Sequence, residues 1–403
     1  SLLQQLLNQS LVSKAGEERF TLHRIVHAFA QEKFQQWPEQ HATLQLQYAQ
    51  YYLDFLARLE PDLTQELYAT ITEQIQTDLD NVRTAWRWSV EQGNLALLEL
   101  SVGSLQDFYR LAGIYPEAIQ LLESALPTVR QAVALGPAAA GYGIATSRTG
   151  AQRLLARLLC YTAQFYRLYR RSGEVEKGEI WANEALELGN RLADPALQAL
   201  AYHELARLAQ TRVDFAAMCR LSEQACTYAR QANLPLLTAE SLNDLGIATG
   251  VYIQPLAAPQ HFHAALECLR QRPNLALEAR IFSNLGLFHL VGHAYQAAYR
   301  YLQLRRSLQR LLQDQDNSLL TLINLGDLWV ALGVYSVAQE EYQQGLTLVQ
   351  ARHGAYWESW LHVGYGRLQR LLGDLAAAQI TCRLALQIAQ KDRGPTEIQW
   401  ALI

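Results

Sequence analysis

Nothing in these 403 residues offers a site for the commoner kinds of catalysis. There is no Gly-x-x-x-x-Gly-Lys-Ser/Thr loop to cradle a phosphate, no Gly-x-Ser-x-Gly elbow to present a nucleophile, and no pair of carboxylates in a catalytic context. The chain is therefore expected not to be an enzyme. Cysteine is sparse: Cys160, Cys219, Cys226, Cys268 and Cys382 form no C-x-x-C pair, so they are expected to be small core residues in a reducing, cytoplasmic setting. Proline numbers only 11, and no long stretch alternates apolar with polar, which argues against a β-protein. The sequence carries no signal peptide and no apolar run of about 18 residues, so no membrane partner is expected. Charge of one sign is lacking too. Lys and Arg total 34 against 38 Asp and Glu, a net −4 that gives no electrostatic reason to approach nucleic acid directly. His23 and His27 stand one helical turn apart, but no third ligand and no H-E-x-x-H pattern accompanies them, so no metal is expected.

What the sequence has is apolar residues, 50% of the chain, arranged with a long period. Leu242-Asn243-Asp244-Leu245-Gly246, Phe282-Ser283-Asn284-Leu285-Gly286 and Leu322-Ile323-Asn324-Leu325-Gly326 align without a gap at a step of 40 residues. The same step reaches Gly366 forward, and Ala206 and Tyr166 backward. One residue before this column stand Phe165, Leu205, Leu245, Leu285, Leu325 and Tyr365. Twelve after it stand Gly178, Met218, Ala258, Ala298, Ala338 and Ala378; nineteen after it stand Ala185, Ala225, Ala265, Arg305, Gly345 and Ala385. Antiparallel helices approach closely only where side chains are small, and large apolar residues fill the space on either side. Each unit is thus helix, turn, helix, with turns expected at Ser172-Gly173, Val291-Gly292, Leu332-Gly333 and Gly373-Asp374, where glycine can close a helix in the left-handed conformation.

These columns resemble the tetratricopeptide repeat (TPR), over about residues 152 to 392, with Leu325-Gly326, Trp329, Gly333, Tyr335, Ala338 and Tyr342 as the best copy. The expected fold is all-α: a TPR-like right-handed superhelix of period 40, preceded by a partial winged helix and a helical linker. Its domains would be 1–36, the second half of a winged helix; 37–134, a helical arm with helices near 38–59, 64–92, 94–113 and 115–133; 135–150, a loop rich in Gly, Ala, Ser and Thr; and 151–403, six repeat units followed by a seventh or a cap. In the first of these, Leu2 to Gln9 reads as a helix, Ser10 to Val12 and Arg19 to Leu22 as strands about a Gly16 turn, and Ile25 to Phe34 as a helix.

Two further strings extend the resemblance. Arg19-Phe20-Thr21-Leu22-His23-Arg24-Ile25-Val26-His27 is similar to the Met-His-Asp region of NB-ARC and related STAND signalling ATPases. Asp78-Leu79-Asp80-Asn81-Val82-Arg83-Thr84-Ala85-Trp86-Arg87-Trp88 is similar to the segment that follows the winged helix in bacterial members, such as maltose-activator-like transcription regulators. The resemblance implies a piece of a longer protein. An upstream nucleotide-binding domain would hold ADP or ATP and oligomerise in its open form, while this piece needs no cofactor of its own and senses a small-molecule, protein or peptide inducer. His23 would contact the ADP phosphates of the closed form; the alternative is a histidine that caps its helix or fills the core. Arg24 stands where the family has aspartate, so no role of that acid is carried over.

If the first helices line a concave groove, its polar members are Arg167, Arg170, His203, Arg207, Asn243, Ser283, Asp327, Trp360, Arg367 and Arg370, which form either a recognition surface or a solvated face. Six arginines and no acid between Arg148 and Gly173 add either an anion-binding patch or the complement of an acidic neighbour. A freestanding TPR scaffold for protein or peptide binding is the other reading. It has no reason to begin with half a winged helix.

Overall fold

Apolar residues at helical spacing run through nearly the whole chain, and helices result. The computed structural model describes residues 2–14, 19–34, 36–59, 68–136, 147–169, 174–312, 318–350 and 355–392, which form eighteen α-helices and one two-stranded hairpin. At the start, α1 (Leu2–Asn8) is followed by β1 (Val12–Lys14), β2 (Phe20–Leu22) and α2 (Arg24–Phe34), with Val12 opposite Leu22 in the antiparallel pair. The first strand lies two residues beyond its expected place. Ser10 takes a left-handed φ of 57°, and the amides of Ser10 and Leu11 return to the carbonyls of Leu7 and Leu6, so the close of α1 uses the residues expected in the strand. The Gly16 turn lies outside the described residues.

The linker contains α3 (Pro38–Arg58), α4 (Tyr68–Glu91), α5 (Leu95–Ala112) and α6 (Tyr115–Leu135). The string from Asp78 to Trp88 is a hub on α4 that reaches four neighbours. Asp78 accepts from Arg19 of the hairpin, and Asn81 accepts from the Tyr48 hydroxyl of α3 at 2.8 Å. Arg83 is bidentate to Glu117 of α6, and the buried Trp86 Nε1 donates to the Leu121 carbonyl, also of α6, at 3.1 Å. α6 runs through Leu135 and α7 (Arg148–Tyr169) begins at Arg148; within the expected 135–150 loop, residues 137–146 lie outside those described. One buried core continues from Ala49 through Val129 to Ala201, so α6 packs directly on α7.

Six antiparallel pairs follow at the expected period: α7 with α8 (Glu174–Leu192), α9 (Pro195–Thr211) with α10 (Phe215–Gln231), α11 (Pro235–Tyr252) with α12 (Ala258–Gln271), α13 (Leu275–Val291) with α14 (Tyr295–Leu311), α15 (Ser318–Ala331) with α16 (Tyr335–Gln350), and α17 (Ala355–Leu371) with α18 (Leu375–Asp392). Start signals are local: Asp194, Asp214, Asn274 and Asp374 each accept an amide from the first turn of the helix they precede. The glycine column has a specific partner. A Cβ built on Gly246, Gly286, Gly326 or Gly366 would lie 2.6 Å from Phe262, Leu302, Tyr342 or Cys382, each sixteen residues further on in the second helix of the same unit. Removing one methyl from the first helix makes room for a large side chain of the second.

The turn inside a unit also keeps the step, with left-handed residues at Val213, His293, Gly333 and Gly373. The amide after each returns to the carbonyl five residues back, as Asp214 does to Ala209 and Asp374 to Gln369. Glycine was expected to serve at Val291-Gly292, but Gly292 has an ordinary φ of −81° and His293 takes φ 59°. The hydrogen-bond register of the turn selects that position whatever residue occupies it. Gly173 lies outside the described residues. First helices of adjacent units pack on one another, while second helices of adjacent units make no comparable contact. The first helices therefore form the inner wall of a curved solenoid and the second helices splay on its outer side. All five cysteines are free. Cys160, Cys219 and Cys226 are buried and Cys268 half-buried, but Cys382 is exposed because no described helix covers α18 as α17 covers α16.

Candidate functional site

Along the inner wall a second polar column lies two residues before the glycine column: Gln164, Glu204, Asp244, Asn284 and Asn324. Each reaches back to the preceding first helix. Gln106 of α5 donates to Gln164 at 2.7 Å, Arg167 Nε to Glu204 at 2.6 Å, and Arg207 to Asp244 at 3.2 Å. Asn284 donates to Asn243 at 2.8 Å and Asn324 to the Ser283 hydroxyl at 3.5 Å; on the next step Arg367 of α17 donates to Asp327 of α15. A polar ladder thus ties first helix to first helix from α5 to α17. Sequence reasoning missed this column because polar residues beside an apolar one read as solvent-facing. The signal was available in its polarity through five consecutive units.

The ladder accounts for most of the residues expected in the groove. Arg167, Asn243 and Ser283 are buried in it, His203 and Arg207 meet Asp244, and Asp327 also accepts from Tyr342. Trp360 is half-buried, Arg370 is exposed near the end of α17, and Arg170 lies outside the described residues. Of the arginine-rich stretch, Arg153 pairs with Asp194, Arg157 with Glu99 and Arg167 with Glu204, so three of the six already have acidic partners.

Across α9, α11 and α13 of the inner wall, charges converge. His203 and Arg207 of α9, Glu240 and Asp244 of α11, and Arg280 of α13 form one cluster, with His203 Nδ1 3.5 Å from Asp244 and Arg280 3.8 Å from Glu240. Burial pushes the Asp244 carboxyl up, but Arg207, then His203, Arg280 and Arg167, outweigh it and hold the carboxyl below its ordinary value. Burial, then the like charge of Arg207, pulls the Arg280 guanidinium down. Burial raises the Asp107 carboxyl of α5 against the opposing pull of Arg110, which pairs with it at 3.1 Å. Among the described residues, Arg207 Nε and Arg280 Nε are buried without a hydrogen-bond partner, and His203 Nδ1 and the second Asp244 oxygen have only their 3.5 Å ion-pair approach to each other. Such groups are costly unless something satisfies them, and they mark the part of the wall with unused bonding capacity.

His23 is exposed immediately before α2, where its Nδ1 accepts from the Ile25 amide at 3.4 Å. That is a capping contact, and it leaves the imidazole at the positive end of the helix. Among the described residues no three His, Cys, Asp or Glu side chains group as metal ligands, and no helix is long and apolar enough to cross a membrane.

No family model and no curated protein matches the chain. Solved structures do. A signal transduction ATPase with numerous domains, a STAND protein with a TPR sensor from Pyrococcus horikoshii, is similar over 98% of this chain and 60% of its own, at TM-score 0.52 and 13% identity. Aspartyl phosphate phosphatase F from Bacillus subtilis is similar over 86% of this chain and 94% of its own, at TM-score 0.55 and 12% identity. A Rap protein complexed with Competence and Sporulation Factor is similar over 89% of this chain and 96% of its own, at TM-score 0.51 and 13% identity. At these identities the likeness is one of fold, and the fold is a TPR-like helical array. The chain corresponds to less than two thirds of the STAND protein's length.

Proposed function

We propose that the chain is the ligand- or partner-sensing and autoinhibitory arm of a STAND-type signalling ATPase, whose upstream nucleotide-binding domain alternates between a closed ADP form and an open, oligomerising ATP form. The observation that carries this reading is the unfinished face of the first 36 residues. Phe20, Leu22, Ile25 and Phe29 are 41%, 47%, 72% and 58% exposed around the hairpin and α2. An apolar group of that size is a surface that suits a partner, and a further winged-helix element would cover it. The similarity that runs from the hairpin to α18 in a STAND protein supports the same reading. His23 stands at the head of α2, and the amide end of that helix would suit a phosphate there.

The inner-wall cluster of His203, Arg207, Glu240, Asp244 and Arg280 is the place where an inducer would act. Charges of both signs stand there with donors and acceptors left over, which suits a ligand that also carries both, such as a short peptide. Because the ladder joins successive first helices, a ligand that takes over one rung favours a different angle between units. It shifts the switch only by its differential affinity for the two shapes. The test uses the full-length protein: His23→Ala should release ADP faster and raise basal output, and unchanged retention with unchanged output removes His23 from the mechanism. A reading frame with no P-loop upstream sinks the whole proposal. It would leave a freestanding TPR scaffold, which the near-complete matches to the phosphatase and Rap chains support.

A further inference from the structure

Because second helices splay on the outer side, gaps open between them. In the fourth unit the gap between α12 and α14, floored by the end of α13, widens into a cleft of about 840 Å³ lined among others by His263, His289, Tyr299, Arg300, Tyr301 and Ser307. Tyr301 is its hub. The His289 ring stacks on it with centroids 5.4 Å apart and planes 6° from parallel, His263 stands at 6.0 Å with its Nε2 3.5 Å from the Tyr301 hydroxyl, and the buried Phe282 supports it at 6.1 Å. Tyr299 is held separately, edge-on to Trp329 at 5.6 Å.

The repeat does not require this cluster. Forty residues either side of Tyr301 stand His261 and Glu341, and forty either side of His289 stand Thr249 and Trp329. Positions that keep the period build the solenoid, whereas these columns change residue type at every step, so the repeat does not dictate the cluster. The cleft also has a definite electrostatic character. No carboxylate lines it, Arg300 is exposed with no ion pair among the described residues, and burial together with His263 holds His289 below its ordinary value. Aromatic walls favour a flat ring, and a lone guanidinium beside donor groups favours an acid on that ring.

We propose that the outer cleft between α12 and α14 binds a small planar aromatic anion, its ring beside Tyr301 and His263 and its acid group on Arg300. The site is separate from the inner wall and does not depend on how the inducer is read. Two dyes test it on the whole chain: anilinonaphthalene sulfonate, which has ring and acid, and N-phenylnaphthylamine, which has the ring alone. The sulfonate should bind saturably, and Arg300→Gln should weaken it about tenfold, the loss of one charge-assisted contact, while changing the uncharged dye less than about twofold. Ser307→Trp, which fills the cleft from an exposed position, should abolish both. Tyr301→Leu should do the same if its circular dichroism matches the wild type. Equal sulfonate affinity in Arg300→Gln overturns the anion assignment, and equal binding of both dyes in Ser307→Trp overturns the site itself, placing the dyes on the exposed apolar turns instead.

Discussion

Gly286 gives the sharpest test of why the glycine column exists. A Cβ added there would stand 2.6 Å from Leu302 Cδ2 and 2.7 Å from its Cγ, and Leu302 is fully buried with no room to withdraw. Alanine in a helix interior is otherwise favoured over glycine by about 1 kcal/mol. Overpacking a buried site costs about 1–3 kcal/mol, so Gly286→Ala should destabilise by on the order of 1 kcal/mol net. Leu302→Ala alone should cost about 2–5 kcal/mol through lost burial and a cavity. In that background the methyl at 286 enters vacated space, and Gly286→Ala should become stabilising by about 1 kcal/mol. The sign reversal is the prediction, a coupling of about 2 kcal/mol between two residues sixteen apart. Repeat arrays lose units separately, so the measurement is amide hydrogen exchange across α13 and α14 as well as urea unfolding by circular dichroism. Additive effects in the double variant would refute the reasoning, since the glycine would then have some other purpose than admitting Leu302.

Other outcomes follow from the turns, the cluster and the hairpin. Val213, a β-branched residue at φ 61°, should be replaceable by glycine with a gain of about 1 kcal/mol and a higher melting temperature, whereas Gly373→Val at φ 87° should lower it. Asp244→Asn should cost about 3–5 kcal/mol at neutral pH, because it leaves Arg207 and Arg280 buried with less compensation. As the Asp244 carboxyl lies below its ordinary value, its stabilisation is complete above about pH 3.9 and is lost as the pH falls through the lower folded value. Acid titration of stability should therefore show a limb that the Asn variant lacks. Arg19→Ala should release the hairpin from α4, raising hydrogen exchange in residues 2–34 while leaving α5 to α18 unchanged; the pair is half-exposed, so global stability should move by less than about 1 kcal/mol.

Much of this architecture was legible because its causes are local or periodic. Gly246, Gly286 and Gly326 reveal the step by eye, and the caps Asp194, Asp214 and Asp374 mark helix starts with one residue each. The turn after Val291 was legible but not which of its residues is left-handed, since a left-handed histidine leaves no mark that distinguishes it from its glycine neighbour. The wall residues other than Arg170, which lies outside the described residues, stand on first helices, but their partners were not legible. Whether Arg167 faces solvent or Glu204 depends on a partner 37 residues away on another helix, and no single-helix pattern carries that. The outer cleft was invisible for the same reason, being assembled from His263, His289 and Tyr301 on three helices.

An array whose second helices do not pack on one another has a simple mechanics. When a beam bends, one line within it keeps its length, and here that line lies toward the inner side, where first helices pack on one another and the polar rungs join them. Flexing leaves the rungs nearly unstrained and concentrates displacement at the far edge, where the gaps between second helices open and shut. Small rotations at each joint add along the row. The outer surface is then the part of the molecule that registers curvature, and a wedge set in one of its gaps would hold the whole row at a chosen bend.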